Sequence, residues 1–220
     1  MKKSAIEIPS ELLHSSPDVA PLLSEGSGEA PLLLHACCAP CSSAIVEWML
    51  QHDVRPTIYY FNPNIWPREE YEIRKQESKR HAESLGIQWI DGDYDHASWR
   101  EGVCGLEHEP ERGRRCQQCF KLRLVAAARM ARQLGLQYFT TTLASSRWKS
   151  LEQIEQAGRE AEQAVEGTTF WAQNWRKGGL YERRNQLLKD YGFYNQQYCG
   201  CEFSMRPQQS EIAKKAKIDT

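Results

Sequence analysis

Eight cysteines in 220 residues fall into three groups that could do chemistry and one singleton. His35-Ala-Cys-Cys-Ala-Pro-Cys41 supplies Cys37, Cys38 and Cys41, and Cys116-Gln-Gln-Cys119 supplies a distant pair, so the two segments together offer five thiols. Neighbouring residues on an extended strand face opposite ways. Cys37 and Cys38 can therefore serve one centre only where the chain is already turning, which Pro40 and a helix start allow. Thiols at a helix N-terminus have lowered pKa values and are ready ligands or nucleophiles. Tyr198-Cys-Gly-Cys201 differs in character: Cys199 and Cys201 are close enough to bond to each other, Gly200 relieves the backbone, and such a tight ring is strained and reducible. Cys104, beside Gly105, has no partner motif and reads as a small packed residue.

Four soft sulfur ligands suit zinc or an iron–sulfur cluster, and ligand type alone does not separate them. Cys38/Cys41 and Cys116/Cys119 have the spacing of structural zinc pairs. A zinc-stabilised RNA-binding module is therefore one reading, distinguished by a colourless preparation where an iron–sulfur protein is brown. Cys38-Ala-Pro-Cys41 between a strand and a helix also looks like a thioredoxin-like dithiol, which makes a thiol–disulfide oxidoreductase a second reading. That chemistry needs one CxxC, and the vicinal cysteine, the second CxxC and the CxC pair go unused by it. ATP hydrolysis is disfavoured, because the first loop lacks a glycine-rich phosphate cradle.

The elements that must position these groups follow from the hydrophobic pattern. Pro31 to Ala36 is a short apolar run of the kind a buried parallel strand shows, and Ser42 or Ser43 then caps a helix to about Gln51. Thr57 to Phe61 is a second strand, and a charged helix from about Arg68 to Leu85 stops at Gly86. Ile87 to Ile90 makes a third strand. A helix near Gln117 to Leu134 ends at Gly135, Tyr138 to Thr142 makes a fourth strand, and a further helix spans about Leu151 to Val165. This alternation predicts an α/β fold, a parallel sheet of four or five strands flanked by helices, with a helical C-terminal part. One catalytic domain is expected over 31–204, after a flexible extension over 1–30 and before a tail over 205–220. Sites in such sheets lie beyond the carboxyl ends of the strands. One crevice would gather Cys37, Cys38 and Cys41 with Asn62, Asn64, Asp93, Tyr94, Asp95 and the segment from Ser145 to Lys149. Asp93, Asp95, Tyr71 and His35 are proton-donor candidates by position.

No stretch approaches the ~18 apolar residues a membrane span needs, and Met1 to His14 lacks the apolar run of a secretory signal. The expected location is the cytoplasm, where cysteines stay reduced and point to metal or redox chemistry. A formal charge of -1 gives no global case for nucleic acid, yet Arg112 to Arg132 holds seven Lys/Arg and no acid. Arg176, Lys177, Arg183 and Arg184 with Trp171, Trp175 and Tyr181 form a second mixture suited to phosphates and stacked bases.

His35-Ala-Cys-Cys-Ala-Pro-Cys41, Phe61-Asn-Pro-Asn-Ile65, Glu70-Tyr-Glu-Ile-Arg74, Cys116-Gln-Gln-Cys119, Thr140-Thr-Thr-Leu143 and Gln197-Tyr-Cys-Gly-Cys-Glu-Phe-Ser204, in this order and separation, resemble QueH-type epoxyqueuosine reductases. The resemblance runs from about Leu32 to Ser204. It implies a Rossmann-like fold similar to that of adenine nucleotide alpha hydrolases. It also implies reduction of epoxyqueuosine at the wobble position of tRNA to queuosine, without cobalamin, as an oxidoreductase fed by an external electron donor. Carried over, it puts a [4Fe-4S] cluster on Cys37, Cys38, Cys116 and Cys119 and makes Cys199 and Cys201 a redox-active pair. Cys41 is left to face an additional adjacent iron ion or the substrate. Arg112, Arg114, Arg115 and Lys121 would then meet the anticodon-stem backbone, so that tRNA affinity falls as salt rises. The Ser145-Ser-Arg-Trp-Lys149 and Gly178-Gly179 segments depart from the family pattern. The chemistry agrees: expelling an epoxide oxygen as water takes two electrons and two protons, a thiol pair is the side-chain source of electrons, and a metal centre is a natural conduit.

Overall fold

Leu32 to Leu34 are wholly buried and apolar, as a strand covered on both faces must be, and they form the centre of the molecule. This computed structural model describes residues 32–205; the extension expected over 1–30, and all but Met205 of the tail expected over 205–220, lie outside them. Five strands, β1 (Leu32–His35), β2 (Thr57–Tyr60), β3 (Trp89–Asp91), β4 (Tyr138–Thr141) and β5 (Thr169–Phe170), make one sheet in the order β3-β2-β1-β4-β5. Every pairing is parallel, with Leu34 opposite Ile58 on one side and Thr140 on the other. The α/β expectation holds.

Among the described residues six helices flank the sheet: α1 (Ala39–Gln51), α2 (Arg68–Ser84), α3 (His96–Gly102), α4 (Arg114–Gln133), α5 (Leu151–Ala164) and, after the last strand, α6 (Leu180–Asp190). Right-handed crossovers put α1 and α2 on one face, and the reversal of strand order after β3 puts α4 and α5 on the other. The packing agrees, with α4 against α5 and α1 against α6. On α4 the apolar positions Phe120, Leu124, Ala127, Ala128 and Ala131 recur every three or four residues and are buried. A 3₁₀ turn (Thr142–Ser145) follows β4, and a second one (Glu202–Ser204) closes the described chain.

Three boundaries differ from expectation, and two elements are new. α1 starts at Ala39, not Ser42, because Pro40 suits a first helical turn; Ser42 and Ser43 sit inside the helix and donate back to the carbonyls of Cys38 and Pro40. α4 starts at Arg114 with Gly113 before it, not at Gln117. β3 begins two residues late at Trp89, where its register with Ile58 starts. α3 and β5, short elements with little periodicity, were not anticipated.

Two predictions belong to the scaffold. A methyl group at Gly158 on α5 would lie 2.2 Å from the Phe170 ring of β5. Gly158→Ala is expected to overpack this contact by about 1–3 kcal/mol and lower Tm by roughly 3–10 °C in calorimetry; an unchanged Tm would contradict the packing. His81 on α2 is buried against the edges of Tyr191 and Phe193, and burial, with Arg80 nearby, lowers its pKa from 6.5 to about 4. A depressed base is neutral in the fold, so its contribution is complete above 6.5 and is lost as pH falls toward 4. The loss is about 3 kcal/mol, and in denaturant melts His81→Phe is expected to remove that part of the acid sensitivity.

Candidate active site

The strand order reverses between β1 and β4, so their loops leave in opposite directions and open a crevice at their carboxyl ends. Side chains tie the crevice together from below. His35 at the end of β1 donates from Nε2 to the Phe61 carbonyl (3.0 Å), which can only accept, so Nδ1 accepts from Thr141 Oγ1 (2.8 Å). Burial lowers its pKa to about 3, with Arg123 adding to the effect. His35 is a neutral strap across three strands, not an acid. Asn62 donates to the Ala36 carbonyl (2.9 Å) and accepts from the buried Arg123, which accounts for one asparagine of the Phe61–Ile65 motif.

The backbone N–H of Cys37 donates to Thr142 Oγ1 (3.1 Å), and that hydroxyl donates to Cys37 Sγ (3.4 Å), joining the loops after β1 and β4. Cys38 is the extended residue before α1, so the chain turns between the vicinal thiols and brings their sulfurs to 3.8 Å. Cys41 joins them from the first turn of α1, and the three sulfurs all lie within 4.8 Å of one another. Among the described residues this is the one such group of three, and it can hold a metal ion. Thiol donors from Cys38 and Cys41 pull Cys37 well below the usual range, with Lys149 and Thr142 helping. Cys38 is raised by burial, then by its neighbours, and Cys41 is pushed up to about 12 chiefly by Cys37. Cys37 is thus the most acidic thiol of the group.

Cys116 and Cys119, one turn apart on α4, look toward the other pair. Cys119 packs in a small apolar cluster with Trp99, Val103 and Cys201, while Cys116 accepts from the Arg112 N–H (3.3 Å). Burial raises both. A cavity of about 20 Å³ lies among Arg112, Cys116, Lys149, Cys199 and Cys201. All eight cysteines are free, and Cys201 Sγ contacts Ser204 Oγ at 3.6 Å.

Two devices hold the remaining walls. The Arg112 guanidinium donates to the carbonyls of Arg147 (3.0 Å) and Trp148 (2.8 Å), and Arg176 donates to those of Ser146 and Lys149 (2.8 Å to the latter). Four consecutive carbonyls are thereby held from outside, which projects Lys149 into the wall shared by the small cavity and one of about 280 Å³. Lys149 is raised: burial pushes it down, but the neighbouring sulfurs of Cys199, Cys37 and Cys41 outweigh that. On the opposite side Arg74, paired with Glu70 (2.8 Å), donates to the carbonyls of Tyr198 and Cys199 (3.4 Å each), and Tyr194 donates to Glu70 (2.8 Å). The Trp66 N–H donates to the Gly200 carbonyl (2.8 Å). Gly200 has φ of +127°, and a Cβ there would press on Arg74 and Ile65 at 3.1 and 3.2 Å, so glycine is required.

The sequence comparisons bear on this arrangement. The family model described as Epoxyqueuosine reductase QueH matches residues 32–207. A protein named Epoxyqueuosine reductase QueH from Histophilus somni is 45% identical over 192 residues, covering 87% of this chain and 79% of its own. A protein of the same name from Haemophilus influenzae is 43% identical over 192 residues, covering 87% of this chain and 78% of its own. Another, from Thermotoga maritima, is 34% identical over 190 residues, covering 84% of this chain and 96% of its own. The chain belongs to the epoxyqueuosine reductase QueH family.

Within this QueH chain the other expected site residues are scattered. Asp95 caps α3 by accepting from the Ser98 N–H (3.0 Å), and Tyr71 is buried, with burial raising its pKa. Asp93 is exposed on a positive-φ turn, its N–H donating to Asp91, and it lines neither cavity. Arg115, expected at the RNA backbone, is corrected: it is 3% exposed and spends its charge on the carbonyls of Leu106, Glu107 and Glu109 and on the Phe203 ring. Arg114 and Lys121 are on the surface, paired with Glu109 (2.7 Å) and Glu160 (2.8 Å). The second aromatic and basic mixture is likewise corrected in part, because Trp171 and Trp175 are buried and Arg183 is bound by Glu47 through two 2.6 Å bonds. Cys104 is exposed beyond the end of α3, not packed. Lys149 and Thr142 entered the sequence reading only as parts of the Ser145–Lys149 segment and the Thr140–Leu143 motif, with no role of their own; the signal for both was their place in the loop after β4. Among the described residues, no helix is long and apolar enough to cross a membrane.

Proposed function

We propose that this QueH-family chain is an epoxyqueuosine reductase, converting epoxyqueuosine at the wobble position of tRNA to queuosine in the cytoplasm. The observation that carries the reading is the gathering of the Cys37, Cys38 and Cys41 group, Cys116 and Cys199 around Lys149 at the switch point of the sheet. Removal of the epoxide oxygen as water consumes two electrons and two protons and leaves a carbon–carbon double bond. Oxidation of the Cys199 and Cys201 thiols to a disulfide releases two electrons and two protons, and an external dithiol or equivalent two-electron reductant restores them.

We assign Cys37, Cys38, Cys116 and Cys119 as ligands of a [4Fe-4S] cluster, with Cys41 toward an additional adjacent iron ion or the substrate. These soft, largely buried donors suit such a group, and Lys149 opposes the negative charge that thiolate ligation brings. When bound, the cluster supplies an electron relay and a Lewis-acidic iron. The chain itself holds the donors in place through Thr142 and His35, fixes the Cys199–Cys201 loop through Arg74, and keeps a cation beside the sulfurs. Arg112, Arg114 and Lys121 face the anticodon stem in this reading, so log affinity for tRNA falls with log salt.

The test is anaerobic reconstitution with iron and sulfide, followed by assay on epoxyqueuosine-bearing tRNA with a chemical reductant. A brown protein that forms queuosine is expected. A colourless protein holding one zinc and binding RNA without turnover would instead support a structural zinc module.

A further inference from the structure

The cavity of about 280 Å³ is lined by Cys41, Lys149 and Cys199 together with Trp175, Tyr181 and Gln196. Two polar atoms on its lining residues have no partner among the described residues. The Trp175 side chain is 1% exposed, and its Nε1–H is buried without an acceptor. The Gln196 amide nitrogen donates to Cys41 Sγ (3.7 Å), while its amide oxygen is buried without a donor. Buried polar groups are nearly always satisfied, and one left unsatisfied is costly, so an orphan donor and an orphan acceptor beside one cavity ask for a ligand that carries both.

We propose that Trp175 and Gln196 are specificity-determining residues, which read the polar edge of the modified nucleoside when it is drawn into this cavity. The inference rests on the function proposed above. The cavity's size is near the lower end for small-ligand sites and admits a single nucleoside, not a stretch of RNA, so the target base must leave its stack. A base in that space has a ready platform. The Arg147 guanidinium lies 4.2 Å over the Tyr181 ring and donates to its hydroxyl (2.6 Å), and guanidinium planes and aromatic rings are the surfaces on which extruded bases stack. Trp148, 52% exposed, and Arg184 stand on the same wall, the latter offering charge to the flanking phosphates. Cys41 and Cys199 line the same cavity, so a substituent reaching inward from the base meets thiols. Trp175 is fixed by Trp48 and Trp171, with ring centroids 5.9 and 5.5 Å away, and the donor is therefore presented rigidly.

The experiment uses the reconstituted holoenzyme and two anticodon stem-loop RNAs, one carrying epoxyqueuosine at the wobble position and one carrying guanosine there. Their Kd values are compared anaerobically for wild type, Gln196→Leu and Trp175→Phe. Wild type is expected to prefer the modified RNA. Each variant should cut that preference about tenfold, the equivalent of about 1.4 kcal/mol, while binding guanosine RNA within about twofold of wild type. A preference that survives in Gln196→Leu overturns the proposal, as does an equal loss for both RNAs, which marks a structural role. Gln196 lies in a partly exposed loop and decides the matter should Trp175→Phe fail to fold. Wild-type turnover without any preference overturns the subsite and leaves the reductase reading standing; absence of wild-type turnover fails the reductase reading itself.

Discussion

Pre-reduced Cys201→Ser enzyme, given epoxyqueuosine tRNA and no external reductant, is expected to form no queuosine, where wild type forms up to one equivalent. The stoichiometry carries the prediction: one dithiol supplies one pair of electrons and one pair of protons, and a single thiol supplies neither pair. Cys199→Ser and the double variant should be equally inert, each slowed by roughly 10³-fold, because groups that act as a unit are not additive. The geometry explains why the pair is singular among the eight cysteines. Arg74 and Trp66 pin both carbonyls that flank it, and Gly200 gives it the one backbone conformation that fits. Cys199 lines both cavities, the larger together with Cys41 and the smaller together with Cys116 and Cys201. Single-turnover chromatography of digested tRNA checks the result, and queuosine formed by either single variant without added reductant would assign the electrons elsewhere.

Lys149→Met is expected to lower turnover by about 100-fold, with Lys149→Arg recovering part of it. The Lys149 ammonium favours the ionised form of Cys37 alongside the Cys38 and Cys41 thiols, and removing one partner of a buried charge pair costs about 3–5 kcal/mol unless the remaining charge is neutralised. Neutralisation here is protonation, so the Cys37 value should rise in the metal-free variant, which thiolate absorbance in the ultraviolet will follow. The sign is fixed by linkage. Cys37 is depressed below its ordinary 9.0, so the unfolded chain binds the extra proton, and metal-free wild type gains stability as pH rises to 9.0 and loses it as pH falls through the depressed value. Lys149→Met should flatten that slope. A variant with the wild-type slope and turnover would make Lys149 a bystander.

Much of the scaffold was legible because its signals are local. Apolar runs before Cys37 and after Gln137 named the two central strands, and glycines at 86 and 135 marked helix ends where the backbone does turn left-handed. Short pieces escaped: β5 has two residues and α3 seven, too few to show a period. Cysteine spacing announced metal or redox chemistry but could not tell which sulfurs meet. Cys41, left over by the family pattern, stands with Cys37 and Cys38, a consequence of α1 beginning earlier than its serines suggested. Cation counts were the weakest guide. Of the basic residues first matched to RNA, Arg115 and Arg183 are buried and bonded within the protein, because a sequence records charge and not what a fold has already paired with it.

The stretch from Ser146 to Lys149 is gripped by its carbonyl oxygens, a feature every residue type shares. Its course is therefore indifferent to side-chain identity. Such a segment behaves like an interchangeable bit in a fixed chuck: evolution or an engineer can swap what it presents at 147 and 148, and with it what the proposed subsite would admit, provided its length and its two arginine jaws stay as they are.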